Sequence, residues 1–316
     1  MKKLMLTIGC CLFSLHLMAA QQVDETIDAD AQGYVEIKNT SGEITVKIWE
    51  KTQVRVVGRL DELAEKLIFE RNGNQILIQV KVPKNSHSHN YRKENGDDLT
   101  VYLPAQSHVS YTSVNSDFIA NDYSGGTDIS LVNGDVSLSN LQGRIKVNIV
   151  NGDIRSRGLI GDITLETVNG DINDSKSAGT RLALQTVNGD MQSNSSIADV
   201  VLESVNGDMK VGLSAVKNAE VKTVNGEVRL NMGLMENAEV HANSVSGRIY
   251  LGFVGKVSAR FNVEAHAGGN IINDLTDDQV QRNKYGPRRW LSFNVGDGAA
   301  RVEVSTVSGK VTLDKK

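Results

Sequence analysis

Residues 150–153 read VNGD, and the same phrase returns at 132, 168, 187 and 205, with the variants VNSD at 114, VNGE at 224 and VSGR at 245. The valines that open successive phrases are separated by 18, 18, 18, 19, 18, 19 and 21 residues. A phrase that recurs at a nearly fixed period indicates a repeat architecture. Residues 114–248 therefore decide the fold.

Apolar residues alternate with polar ones on both sides of each turn. Counted from the valine of a phrase, positions −5, −3 and +4 are apolar, as at Ile145, Val147 and Ile154. Position −1 is small or threonine-like in several repeats, as at Thr167. A period of two indicates half-buried β-strands, so each repeat predicts two strands that flank a glycine turn.

Two architectures satisfy this pattern. Asn-Gly between alternating apolar residues is a strong hairpin signal, which allows an antiparallel meander. A solenoid explains in addition why the same turn recurs and why an apolar residue returns near position −9, as at Leu141 and Leu159. We expect the latter: an all-β, single-stranded β-helix-like solenoid of roughly 18–20-residue coils. Its turn asparagines should form an amide ladder: Asn133, Asn151, Asn169, Asn188, Asn206 and Asn225.

The first 20 residues are typical of a secretory signal peptide. Lys2 and Lys3 precede an apolar run over residues 4–17 and a small-residue ending. The run is short for a membrane span, so we expect export to the periplasm or outer surface and no transmembrane span in the mature chain. Cys10 and Cys11 are the only cysteines, so the mature chain should contain no disulfide and no thiolate site.

The remaining chain divides into two predicted regions. Residues 21–112 form an N-terminal β region that begins the solenoid, with a polar loop at 83–98. Residues 113–316 form the repeat region, with an inserted loop at 273–290 that breaks the period. In the polar loop, an H-x-H pair is more typical of exposed side chains than of a metal site, which needs about four ligands.

Charge and motifs exclude several function classes. Without the signal peptide the chain carries 32 basic and 38 acidic residues, a net charge of −6, which argues against nucleic acid or anionic membrane as a partner. The sequence contains no G-x-S-x-G, H-E-x-x-H or P-loop motif. We therefore expect no catalytic residues, no cofactor and no enzyme. The alternative is a polysaccharide lyase or hydrolase on a β-helix, with carboxylates in a surface groove.

The aspartate of the repeated turn raises the question of calcium. Calcium-binding β-rolls supply ligands at every turn, whereas this chain has one Asn-Gly-Asp per coil. Aspartate also favours turns through hydrogen bonds to its own backbone. We expect no metal site, and weak calcium binding along this row remains the alternative: Asp135, Asp153, Asp171, Asp190 and Asp208.

The inserted loop carries the candidate partner-binding site. It contains a cluster of cations and aromatic residues in an otherwise acidic chain: Arg282, Lys284, Tyr285, Arg288, Arg289 and Trp290. One expectation is a cover for the end of the stack, because terminal coils need covering. The other is a contact with an envelope protein or an anionic glycan.

The chain resembles the bacterial putative-adhesin family of β-strand-repeat domains of unknown function, which is related to the head domains of putative autotransporter adhesins. The resemblance rests on the VNGD and VSG turns, the unit at 33–48, the strand at 99–104 and the closing STVSGKVTL at 305–313. It covers nearly all of the mature chain. It implies a single-stranded β-helix-like solenoid, exported or surface-associated, without a catalytic motif. We therefore expect adhesin-like binding or a structural role in the cell envelope.

Overall fold

A computed structural model describes residues 21–83 and 96–316. The expected signal peptide at 1–20 lies outside the described residues, as do 84–95 of the expected polar loop, including His87 and His89. Within the described part the chain is all-β, with 25 strands and no helix. No helix that could cross a membrane is therefore found there.

The N-terminal part contains seven strands, in most of which apolar residues alternate with polar ones as the period of two requires. They are β1 (Gln22–Asp28), β2 (Tyr34–Lys38), β3 (Ser41–Trp49), β4 (Gln53–Arg59), β5 (Lys66–Asn72), β6 (Gln75–Lys81) and β7 (Asp97–Pro104).

The repeat array follows with twelve strands, most of which begin or end at a glycine turn. They are β8 (His108–Asn121), β9 (Thr127–Asn133), β10 (Val136–Ser139), β11 (Gln142–Asn151), β12 (Ile154–Arg157), β13 (Ile160–Asn169), β14 (Ile172–Asn188), β15 (Met191–Ser195), β16 (Asp199–Asn206), β17 (Met209–Asn225), β18 (Glu227–Ser244) and β19 (Arg248–Phe253).

The last six strands close the chain. They are β20 (Ala259–Ala265), β21 (Asn270–Asn273), β22 (Gln281–Arg282), β23 (Arg289–Val295), β24 (Ala300–Thr306) and β25 (Lys310–Lys315).

Residues one repeat apart lie side by side in parallel strands. Before the turn, Ile145 of β11 pairs with Ile163 of β13, which pairs in turn with Leu182 of β14. After the turn, Ile154 of β12 pairs with Ile172 of β14. Neighbouring repeats are thus parallel, which confirms solenoid-like stacking and excludes the antiparallel meander.

The core lies between the strands that precede the turn and those that follow it. Ile145, Val147 and Ile154 have no exposed surface, and neither have Leu141 and Leu159 at position −9. Each such side chain contributes roughly 1.5–3 kcal/mol on burial, so stability accumulates coil by coil. A continuous apolar interior therefore holds the stack together.

Both ends depart from a single continuous coil. At the N-terminal end, β1 runs antiparallel to β4, β4 runs antiparallel to β7, and β5 forms an antiparallel hairpin with β6. At the C-terminal end, β24 lies between β18 and β20, and β23 runs antiparallel to β20. The whole chain is therefore not a clear single-stranded β-helix, because antiparallel strands and strands out of sequence order cover the open edges of the stack.

Candidate functional site

The predicted turn asparagines lie along one edge of the array. The amide nitrogen Nδ2 of each donates to Oδ1 of the asparagine one coil earlier, at 2.6 to 3.1 Å. The row begins at Asn115 and ends where the Ser246 hydroxyl contacts Asn225. Every asparagine between these ends is both donor and acceptor, so the turns support one another.

The turn aspartates form a second ladder. One carboxylate oxygen of each accepts a hydrogen bond from the backbone N–H of the acidic residue one coil later, at 2.7 to 3.0 Å. Arg155 also bridges Asp135 and Asp153, at 3.2 and 2.8 Å. Within residues 21–83 and 96–316, no group of three or more His, Cys, Asp or Glu side chains could hold a metal ion. The hydrogen bonds from backbone N–H groups give the repeated aspartate a structural role in the turn.

The valines that open the phrases form an exposed row. Nine of them lie on successive coils of the described array, each 38 to 46% exposed: Val114, Val132, Val150, Val168, Val187, Val205, Val224, Val245 and Val307. The order follows from strand pairing, which continues from β17 to β18 and then to β24. This valine row is an apolar ridge that crosses the surface along the stack.

A groove of about 690 Å³ lies beside the ridge. The valines from Val132 to Val224 form one wall, and the residues two positions before them form the other. Buried side chains at position −1, such as Thr167 and Thr186, line the floor. The second wall is polar: Asn148, Glu166, Gln185, Glu203 and Lys222.

Ion pairs at one end of this polar wall hold the side chain of Lys222, the one basic residue among the five. The Lys222 ammonium lies 2.6 Å from Glu220 and 3.1 Å from Glu203, and these hydrogen bonds raise the pKa of Lys222. With two glutamates, Glu166 and Glu203, and one lysine, Lys222, the wall is polar and has a net charge of −1. The groove is thus apolar on one side and charged on the other.

Sequence reasoning used these valines as landmarks and missed that they are exposed. The signal was available in the alternation, because buried positions −5, −3 and −1 place position 0 on the outside. The alternation could not predict the groove, because the groove depends on how far the side chains at positions −2, −1 and 0 project from the surface.

The six basic and aromatic residues of the insertion all lie on one hairpin, but their contacts differ. Arg282 lies in β22, whereas Arg289 and Trp290 lie in β23. Arg289 donates to Asn270 at 2.8 Å, and Arg288 lies 3.0 Å from Glu264 and 5.6 Å from the centroid of the Trp290 ring.

The hairpin tip is free of such contacts with the stack. Tyr285 is 82% exposed, and the Lys284 ammonium lies 5.3 Å from the centroid of its ring. The base of the hairpin, in contrast, covers the core through buried Leu291 and through Phe293, which stacks on Phe261 with centroids 4.7 Å apart. One element therefore combines an end cover with a presented tip.

Asp97 and Asp174 are two of the three buried aspartates among the described residues, and both lie away from the groove and the hairpin. Burial raises the pKa of Asp97 to about 6, against the hydrogen bond that it accepts from the N–H of Asp61. Asp174 is 4% exposed and accepts from three serine hydroxyls, those of Ser156, Ser177 and Ser193, at 2.5 to 2.8 Å. Both are held by donors of the fold, which indicates a structural role.

A model of the Toastrack DUF4097 family matches residues 34–314. The chain belongs to this family. The match spans β2 to β25 and so includes the array, the groove and the hairpin. It confirms the resemblance to a putative-adhesin family of unknown function.

Three solved structures match the chain at low identity and low TM-score. One is a putative cell adhesion protein from Clostridium sporogenes, 8% identical over 94% of this chain and 100% of that one, with a TM-score of 0.24. A putative adhesin from Bacteroides fragilis is 11% identical over 94% and 98%, with a TM-score of 0.39. A putative lipid binding protein from Parabacteroides distasonis is 11% identical over 93% and 96%, with a TM-score of 0.41. No curated protein matches the chain.

Proposed function

We propose that this protein is a non-catalytic, exported component of the cell envelope or surface, with an adhesin-like binding or structural role. In this proposal the array between β8 and β19 winds as a single-stranded β-helix and serves as a stiff support. The observation that carries the binding role is the hairpin tip, where Tyr285 is 82% exposed beside Lys284.

The chemistry of the tip suits a specific partner. An aromatic ring can stack on a sugar ring or on an apolar patch of a protein, and a cation beside it can make charge-assisted hydrogen bonds to an anion. Because the rest of the chain is acidic, a contact with an anionic glycan or envelope protein should be local and should weaken as salt screens it.

Two double variants distinguish the exposed hairpin tip from the base of the hairpin, which covers the end of the stack. Lys284→Ala with Tyr285→Ala should lower co-sedimentation with isolated envelope material at least tenfold and leave the melting temperature unchanged. Arg288→Ala with Arg289→Ala is the matched control, because it removes contacts with Glu264 and Asn270 and should lower the melting temperature. Undiminished association of the tip variant would contradict the proposal.

Two further measurements address location and chemistry. Cell fractionation with and without protease treatment of intact cells should find the protein in the periplasm or on the outer surface. Turnover of a polysaccharide panel that disappears on replacing a groove carboxylate, such as Glu166→Gln or Glu203→Gln, would instead support the alternative, a carbohydrate-active enzyme.

A further inference from the structure

We propose that the valine row is a self-association surface, on which two copies of this chain pack side by side with a two-fold axis parallel to the stack. This goes beyond the proposed function, which rests on the hairpin tip. Nine valines, each 38 to 46% exposed, form one unbroken apolar row. Contiguous apolar surface of this kind on a soluble protein marks an interaction site.

The spacing of the row selects the partner. Parallel strands are about 4.8 Å apart, so one valine is presented every 4.8 Å or so along the stack. An extended peptide laid along the groove presents side chains on one face about every 6.6 Å and drifts out of register within two coils. A second copy has the same spacing at every coil, including the coils of 19 residues. The repeat therefore matches itself over its whole length.

The shape of the surface selects the orientation. With the two-fold axis parallel to the stack, the ridge of each copy enters the groove of the other, and each coil meets the equivalent coil of its partner. With the axis across the stack, ridge meets ridge and the two polar walls face each other. The parallel arrangement fills the groove and the crossed one leaves it empty.

Charge favours the same orientation. In the parallel arrangement, the wall that contains Glu166 and Glu203 lies beside the partner's asparagine row. Each asparagine of that row uses one N–H for its ladder and has a second N–H to donate. Carboxylates then meet amide donors, whereas a crossed arrangement centred on Val187 brings Glu166 of one copy opposite Glu203 of the other.

The size of the surface sets the expected strength. Nine coils give a strip about 38 Å long, and the rows from position −4 to position +1 make it about 17 Å wide. The strip covers roughly 650 Å² on each copy, somewhat below the 800 Å² or so of a standard interface. The dimer should therefore form at micromolar concentration and dissociate on dilution. It would also place both basic hairpins at the same end of the assembly, where two tips can bind together.

Single cysteines test the arrangement directly, because the chain after residue 20 contains none. Under mild oxidation Val132→Cys, Val168→Cys and Val224→Cys should each give disulfide-linked dimers. Lys210→Cys, on the strands after the turn, is the exposed control and should give none. Val187 is the middle one of the nine valines, so dimers from an added Val187→Cys variant alone would indicate the crossed arrangement and would overturn the parallel axis.

A second measurement requires no cross-link. In sedimentation equilibrium, Val168→Glu with Val187→Glu should raise the dimer dissociation constant at least tenfold while the melting temperature stays unchanged. The proposal would be overturned if the parent protein remained monomeric at concentrations up to about 100-fold above the micromolar range. A further outcome would also overturn it: the Val168→Cys thiol stays reactive in the protein alone and is protected only when lipid vesicles or a glycan is added. The molecule that covers the valine row would then be a lipid or a glycan and not a second copy.

Discussion

At the scale of single residues, the glycine of each turn determines how closely two coils approach. Gly207 has a φ of +144°, and a Cβ placed on it would lie 2.0 Å from the carbonyl oxygen of Gly189. The preceding turns repeat this contact from glycine to glycine, as between Gly170 and Gly152. The backbone therefore stacks on itself without an intervening side chain, which is why every phrase after the first, VNSD at 114, keeps glycine while its last residue varies.

Gly207→Ala should destabilise the protein by about 3 kcal/mol or more, because strain in φ adds to the clash with a backbone atom that cannot rotate away. Gly286→Ala is the matched control, since Gly286 also has a positive φ, +118°, but nothing lies within 4 Å of its added Cβ. It should lose only about 1–2 kcal/mol from strain. Chemical denaturation of both variants checks the difference, and equal losses would mean that the close approach contributes nothing.

Asp97 gives the fold a pH dependence with a defined sign. Its pKa is raised from 3.8 to about 6 by burial, so the native state favours the protonated acid. This contribution to stability is present in full below pH 3.8 and is lost as the pH rises through 6. Asp97→Asn keeps an acceptor for the Asp61 N–H and removes the buried charge.

Asp97→Asn should therefore be more stable than the parent at pH 8, by up to about 3 kcal/mol, and the gain should vanish towards pH 4. Denaturant titrations between pH 4 and pH 8 measure it. Asp98→Asn, at the exposed neighbour, is the control and should show no such gain. A gain for Asp97→Asn that is the same at every pH would exclude ionisation as its cause.

At the scale of elements, side-chain ladders hold the turns in register. Asn169 donates to Asn151 and accepts from Asn188, both at 2.8 Å. Asn169→Ala removes both hydrogen bonds and should cost about 1–2 kcal/mol. Lys146→Ala, at a half-buried outward position, should stay within about 0.5 kcal/mol of the parent. Thermal unfolding compares the two, and an equal effect would show that the ladder adds no stability.

The elements also show how far the sequence could be interpreted. Alternation around the VNGD turns predicted the strands, and the nearly constant period predicted their parallel stacking, because both are local or periodic properties. The ends could not be predicted in this way. The placement of β24 between β18 and β20 depends on pairing between strands that are distant in sequence, for which no local pattern exists.

The hairpin of β22 and β23 illustrates the same limit for the candidate site. Composition grouped its six basic and aromatic residues, but it could not separate Arg289, which donates to Asn270, from Tyr285, which projects into solvent. That distinction depends on which strand lies next to β23, again a non-local property. The valine row was missed for a different reason, since the alternation that places it outside was present in the sequence.

At the scale of the whole molecule, each coil contacts only its two neighbours, while antiparallel strands cover both ends. Stability should then be a sum of coil and neighbour contributions. The length of the array becomes adjustable, provided that equivalent positions still meet. Residues 133–150 form one such 18-residue unit, because Asn133 and Asn151 occupy equivalent places in the ladder.

Deletion of residues 133–150 should therefore leave a folded protein that is shorter by about 4.8 Å, the distance between neighbouring strands. After the deletion Asn151 follows Val132, as Asn133 does in the parent, and the Asn151 amide can donate to Asn115. Circular dichroism and small-angle X-ray scattering measure the fold and the length. Deletion of residues 133–149 is the control, because a shift of one residue turns every buried side chain of a strand outward. We expect that variant to unfold or aggregate; if it folded as well as the 18-residue deletion, the alternation would not be what fixes the register of the stack.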